Sequence, residues 1–403
     1  MQRARRAIAA VSRGGIGTAA ASLAPRVSSV AAQWLLALTT GPAAVALFVS
    51  CTSRGAAVVA TVAAGMTPVI VGRPRLLSSR RGRALLACAI AWIAAAALLI
   101  AFGVERATEP VGRTGIAAAL FAGSTVFYSC APAAWASFQS RDRFARVLGG
   151  SLLFTPLASS LAALAGAPLV AAVLVGLGGA FPAAAMLGRA SARRSIRLAL
   201  WLARRAIPLS LLSMATAIVY PVALSLGMDR LGAPAVGVQT LFWSLVTVSN
   251  VASQSFAARV LVAAGGEPGE RDMRRWLAAA GALLLLPAIA LVVFRLRFGA
   301  EVLPRFILAG AAVFLVTDGL TFYFAPASAR PAVMGVTFAG AALVTAGVLW
   351  HPAVLERVTV LGPSVAIATL RLFPLLAVPR VRAVARAALG ALAIAIGLAL
   401  VFP

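Results

Sequence analysis

A few arginines and one aspartate interrupt the long apolar stretches of this chain, and they are the residues best placed to do chemistry there. A charge deep in a bilayer costs at least about 2.5–3.5 kcal/mol unless it is paired or hydrated. Arg26 lies near the middle of the first apolar stretch and Arg54 near the middle of the second. Only a tight joint separates the two stretches, which puts both guanidinium groups near the bilayer midplane. The spans of that half supply no acidic partner for them. A planar guanidinium fork suits phosphate or pyrophosphate through paired hydrogen bonds. Arg26 and Arg54 are therefore candidates for the headgroup site of an anionic ligand in a water-filled cavity. The plainer alternative is structural: they bond helix carbonyls, or lie nearer an interface.

Asp318 is the one acid inside an expected span, 303–325, and Arg371 is its second-half counterpart on 357–377, which runs in the same direction. Both fall about 10 Å from the same end of their spans at the helical rise, so an Asp318–Arg371 ion pair is expected. Two roles remain open for it: a static lock that neutralises two costly charges, or a gating or proton-coupling pair. Softer polar groups that could line a pathway include Gln33 in the first half and Asn250, Ser253 and Gln254 in the second. The last three stand at i, i+3 and i+4 and share one helix face. Hydrogen bonding between helices is the commoner use of such residues in membranes.

The elements that must hold these residues can be read from hydropathy and charge. The chain has 403 residues, 62% of them hydrophobic and 11% charged, with a mean hydropathy of +0.98. A soluble protein of this length could not bury so much apolar surface. A spanning helix needs about 20 mostly apolar residues, and the expected spans are 15–38, 42–66, 84–104, 113–137, 147–166, 168–188, 201–226, 234–262, 275–295, 303–325, 329–350, 357–377 and 383–402. The first is basic and then apolar, like a signal peptide, but its apolar run is too long for one and is read as a transmembrane helix.

Arginine clusters punctuate the spans on alternate loops, at 3–13, 73–83, 141–146, 189–205, 271–275 and 380–386. By the positive-inside rule these loops and the N-terminus face the cytoplasm. The net charge of +26 is then explained by anionic lipid headgroups rather than by nucleic acid, since the basic residues lie in loops without the aromatic interleaving of a nucleic-acid face. Arginine used without lysine, together with abundant Ala and Gly, suggests a GC-rich bacterial genome.

Cys51, Cys88 and Cys130 have no metal or redox spacing and read as small buried hydrophobes. His351 has no nearby ligand partner, so no metal is expected, and no cofactor. Walker, HExxH and GxSxG motifs are missing. Glu105 and Glu109 are the only acids placed for glycosyl transfer outside the spans, at a spacing that does not support it.

The chain also repeats itself. Gly41-Pro42-Ala43-Ala44-Val45-Ala46 is matched by Gly232-Ala233-Pro234-Ala235-Val236-Gly237, each opening the second span of its half. That offset implies two parallel halves of about six helices each. The expected fold is an all-α integral membrane bundle of about 12–13 transmembrane helices, in two pseudo-symmetric six-helix lobes. The lobes are 1–195 and 196–380, and an accessory C-terminal helix occupies 381–403.

The hairpin from Thr39 to Phe48 resembles the "LGPEAVGLF" opening of Wzx-type polysaccharide flippases of the multidrug/oligosaccharidyl-lipid/polysaccharide (MOP) exporter superfamily. Ser137 to Arg146 resembles that family's "LQGRERF" segment, and Leu231 to Gly237 fits the hairpin pattern again. Ala46 stands where the family usually has Gly, and Ala43 where it often has an acid. The resemblance implies a twelve-helix, two-lobed bundle around a central cavity that opens alternately to each side. It also implies a polyprenyl-pyrophosphate-linked glycan as substrate, no enzymatic activity, and glycan polymerases or glycosyltransferases as neighbours in the cytoplasmic membrane. The alternatives are an integral-membrane glycan polymerase or transferase and a small-molecule efflux pump of the same superfamily.

Overall fold

The computed structural model describes residues 27–63, 66–71, 79–108, 112–127, 154–178, 190–263, 269–299, 303, 307–324 and 329–401. Among them the chain is helical. In order come α1 (Val27–Thr39), α2 (Pro42–Val62), α3 (Met66–Val71), α4 (Arg80–Thr108), α5 (Arg113–Thr125), α6 (Thr155–Leu164), α7 (Pro168–Leu177), α8 (Ala192–Leu231), α9 (Ala233–Ala263), α10 (Glu270–Leu283), α11 (Leu285–Phe298), α12 (Ile307–Gly319), a π-helical turn (Leu320–Phe324), α13 (Arg330–Trp350), α14 (Val354–Val358), α15 (Gly362–Leu375) and α16 (Pro379–Val401). Each expected span carries a helix. Among the described residues, four stretches, Pro42–Val62, Arg80–Ala107, Glu270–Phe298 and Pro331–Trp350, are long and apolar enough to cross a membrane by length and composition. Large apolar side chains lie bare along the helices, among them Trp350 at 91% and Leu296 at 84% exposure, as a lipid-facing surface requires and a soluble monomer avoids. The protein is a polytopic helical membrane protein.

The joints follow from glycine and proline chemistry. Gly41 (φ 101°) and Gly232 (φ 82°) take the left-handed conformation that only glycine adopts freely. A helix starts directly after each, α2 with proline in its first turn, where the missing N–H costs nothing. The two copies of the repeated motif thus make the same kind of turn. Proline also explains the break between α10 and α11. Pro287 cannot donate to the carbonyl of Leu283, and Ser249 Oγ on α9 donates to that carbonyl instead, at 3.0 Å.

The chain forms two compact units, Met1–Ala217 and Ile218–Pro403. The expected lobe boundary was 195/196, whereas the division falls inside the continuous helix α8. In the first unit, Ala63, Met66, Ile70, Leu86, Ile90 and Leu202 belong to a core built from α2, α3, α4 and α8. Small residues let the helices approach closely: a Cβ on Gly55 would meet the Phe121 ring and the Ala118 carbonyl. In the second unit, Trp276, Leu320, Leu372 and Leu375 share a core with Val381, Ala385 and Leu392 of α16. The C-terminal helix, expected as an accessory, is part of that core.

Candidate functional site

Arg54 has a partner. Helix α4 runs to Thr108, past the expected end at 104, and its last turn carries Glu105. Glu105 Oε2 lies 3.0 Å from Arg54 Nη1, with the side chains 9% and 21% exposed. This corrects the expectation of an arginine without an acid in its half. The apolar run ends before this acid, which points to a loop, yet the helix continues. At the start of α5, Gly115 makes room for the carboxylate: a Cβ there would stand 3.2 Å from Glu105 Oε2. Glu105 is held in this contact and is no longer a loop acid free for glycosyl transfer. Arg26 and Glu109, like Cys130, lie outside the described residues.

The second unit holds a larger polar network. Asp318, at the end of α12, accepts from Asn250 Nδ2 of α9 through Oδ2 at 2.8 Å. Its Oδ1 faces Arg371 Nη1 of α15 at 3.3 Å. Arg371 Nε donates to Thr337 Oγ1 of α13 at 3.2 Å, and Thr337 Oγ1 donates to the Val333 carbonyl at 2.6 Å. The carboxylate thus joins three helices with both of its oxygens, and Arg371 extends the network to a fourth, α13. The expected Asp318–Arg371 pair is present, with Asn250 as a third member. Thr337 was not foreseen, since a lone threonine on an apolar helix carries no sequence signal.

The backbone around Asp318 is specialised. Gly319 follows it and packs against the Trp276 ring of α10 so closely that no Cβ would fit. Trp276 Nε1 donates to Ser253 Oγ at 3.1 Å, and the ring lies 5.0 Å from that of Phe324. Immediately after Gly319 the helix widens into the π-turn, a feature that recurs at functional sites. Asn250 Oδ1, Thr317 Oγ1 and Thr321 Oγ1 are buried with no hydrogen-bond partner among the described residues. Asn250 and Ser253 thus use one face of α9 to bind two different elements. The side chain of Gln254 lies outside the described residues. Gln33 sits on α1, buried, with Nε2 3.3 Å from Ser29 Oγ. No cluster of three or more His, Cys, Asp or Glu that could hold a metal occurs among the described residues.

No protein-family model and no curated protein matches the chain. Among solved structures, the chain is similar to a multidrug resistance MATE family transporter of the MOP superfamily in an inward-facing conformation. The identity is 11% and the TM-score 0.34, over 96% of this chain and 93% of that one.

Proposed function

We propose that this protein is a transporter that moves a polyprenyl-pyrophosphate-linked oligosaccharide across the cytoplasmic membrane, for cell-surface polysaccharide export. The observation that carries the reading is the repeated hairpin. The two places where the sequence resembles the flippase motif, Gly41-Pro42 and Gly232-Ala233-Pro234, both fold as a left-handed glycine followed at once by a helix. Arg54 supports it chemically, as a guanidinium within an apolar helix that keeps a fifth of its side chain accessible.

In this reading the pyrophosphate engages Arg54 and Arg26 from the cytoplasmic side. The lipid tail stays in the bilayer, and alternating exposure of the bound headgroup delivers the sugar outside. A membrane potential negative inside favours outward movement of an anion by about 2.3 kcal/mol per charge per 100 mV, so no ATP-binding part is needed. Glycan polymerases and glycosyltransferases would act beside it. An efflux pump for cationic drugs fits less well, because the Asp318 carboxylate already faces Arg371.

The test is flipping of a fluorescent polyprenyl-pyrophosphate sugar in proteoliposomes with an external quencher. Arg54→Gln is made together with Glu105→Gln, so that no buried carboxylate is left uncompensated. Wild-type protein should expose the probe, and the double variant should lose flipping while keeping its thermal unfolding profile. Undiminished flipping in a folded double variant would sink the headgroup site. Conversion of the probe to a longer glycan would move the protein to the transferase class.

A further inference from the structure

A groove of about 510 Å³ lies in the second unit between α10, α12 and α16, within the range of small-ligand sites. Its body is apolar, lined by Leu277, Ala312, Val316, Ala387 and Ala391, and polar groups occur only where Glu270 and Arg274 border it. The space arises because α16 presents alanines where larger side chains would close it. Unfilled, the lining would forgo its dispersion contacts on that side.

The charged border and the starts of two helices coincide. Arg371 of α15 is level with Asp318 of α12, so the end of α15 at Leu375 and the start of α16 at Pro379 lie just past that level. Trp276 of α10 is level with Gly319, which brings the first turn of α10 to the same end. Arg380 stands one turn before the lining residues Ala383 and Val384 on the same face of α16. Arg271, Arg274 and Arg275 on α10, with Arg380, Arg382 and Arg386 on α16, outnumber Glu270 and Asp272. Glu270 and Arg274 offset each other as an exposed pair through Arg274 Nη2, and Asp272 caps the helix by accepting from the Gly269 N–H, so the excess positive charge rests on the other arginines. The helix ends beside the groove therefore carry more arginines than acids, and the body of the groove is apolar. Basic pockets of this kind between transmembrane helices bind anionic lipid headgroups.

We propose that this groove seats one acyl chain of an anionic membrane phospholipid, with its phosphate on Arg274 and Arg380. The inference does not depend on what the protein transports.

Full-length protein in phosphatidylcholine vesicles, with or without phosphatidylglycerol, tests it by counting retained lipids in intact-mass spectra. Phosphatidylglycerol should be retained over phosphatidylcholine. The surface double variant Arg274→Gln/Arg380→Gln should weaken that retention by about thirtyfold, from two arginine–headgroup contacts. Ala387→Phe, which fills the groove, should lower retention of the phosphatidylglycerol molecule itself. Equal retention of the two lipids, or retention unchanged in the arginine variant, would overturn the proposal. So would preferential retention of added polyprenyl phosphate, which would make the groove a seat for substrate tails, or a dimer lost in Ala387→Phe, which would make it a subunit contact.

Discussion

The two units solve one problem in different ways: each keeps a charge pair inside apolar helices. Arg54–Glu105 links α2 and α4 at 3.0 Å, with a glycine against the carboxylate. Asp318–Arg371 is longer, at 3.3 Å, but both carboxylate oxygens are engaged and the guanidinium has a second acceptor in Thr337. The arginines differ too, with side chains 21% exposed in the first pair and 12% in the second. A charge satisfied on several sides by rigid helices loses much if it moves. A charge whose side chain stays partly open can turn toward a ligand more easily. The second unit holds its arginine between a carboxylate and a hydroxyl, and the first leaves its arginine more accessible.

The sharpest way to break this contrast is to remove each carboxylate. Asp318→Ala leaves Arg371 buried with no counter-charge and strands Asn250, and should cost about 3–5 kcal/mol, the usual penalty for breaking a buried pair. Glu105→Ala should cost about 1–3 kcal/mol, because Arg54 can turn toward its accessible side. Thermal unfolding of the purified variants ranks them. Equal losses would show that the first pair is as locked as the second. Asp318→Leu combined with Arg371→Leu should regain much of the stability lost in Asp318→Ala, since apolar replacement of both partners is often neutral.

The packing behind the lock is tested by glycine. Gly319→Ala forces a methyl into the Trp276 ring and should cost about 1–3 kcal/mol by overpacking. Gly347 on α13 has nothing near its Cβ position, so Gly347→Ala should be neutral or stabilise by about 0.5–1 kcal/mol through helix propensity. If both substitutions behave alike in thermal unfolding, the Trp276 contact does not fix the end of α12.

Much of this was legible in the sequence, for identifiable reasons. Apolar runs and arginine punctuation give the helices, because the bilayer demands about 20 apolar residues per span and penalises charge within it. The Asp318–Arg371 pair followed from equal depth on two helices. Glu105 was missed because hydropathy marks where a helix stops being apolar, not where it stops being helical. The π-turn after Gly319 and the break at Leu284 were hidden as well. The first depends on where Trp276 packs, and the second on Pro287, whose lost bond is compensated from another helix by Ser249. Such features belong to pairs of helices, and a single hydropathy profile does not contain pairs.

The smallest effect on stability carries the most functional information. Glu105→Gln keeps the size of the side chain and an oxygen for Arg54 to donate to, but removes the charge. Stability should fall by no more than about 1 kcal/mol, because a hydrogen bond can replace the charge-assisted one. If Arg54 receives a pyrophosphate headgroup, Glu105 competes with that ligand in the unliganded protein, and neutralising it should tighten binding. A gain of about tenfold corresponds to about 1.4 kcal/mol, a modest share of a partly buried ion pair. Binding of a short-chain polyprenyl pyrophosphate to the purified protein measures this directly. Flipping need not rise with it, since a headgroup held more tightly also leaves more slowly. Tighter binding in Glu105→Gln that disappears when Arg54→Gln is added would place the ligand on that guanidinium. Weaker binding in Glu105→Gln would mean that the carboxylate orients Arg54 for the ligand, and that the first pair works as a unit rather than as a releasable contact.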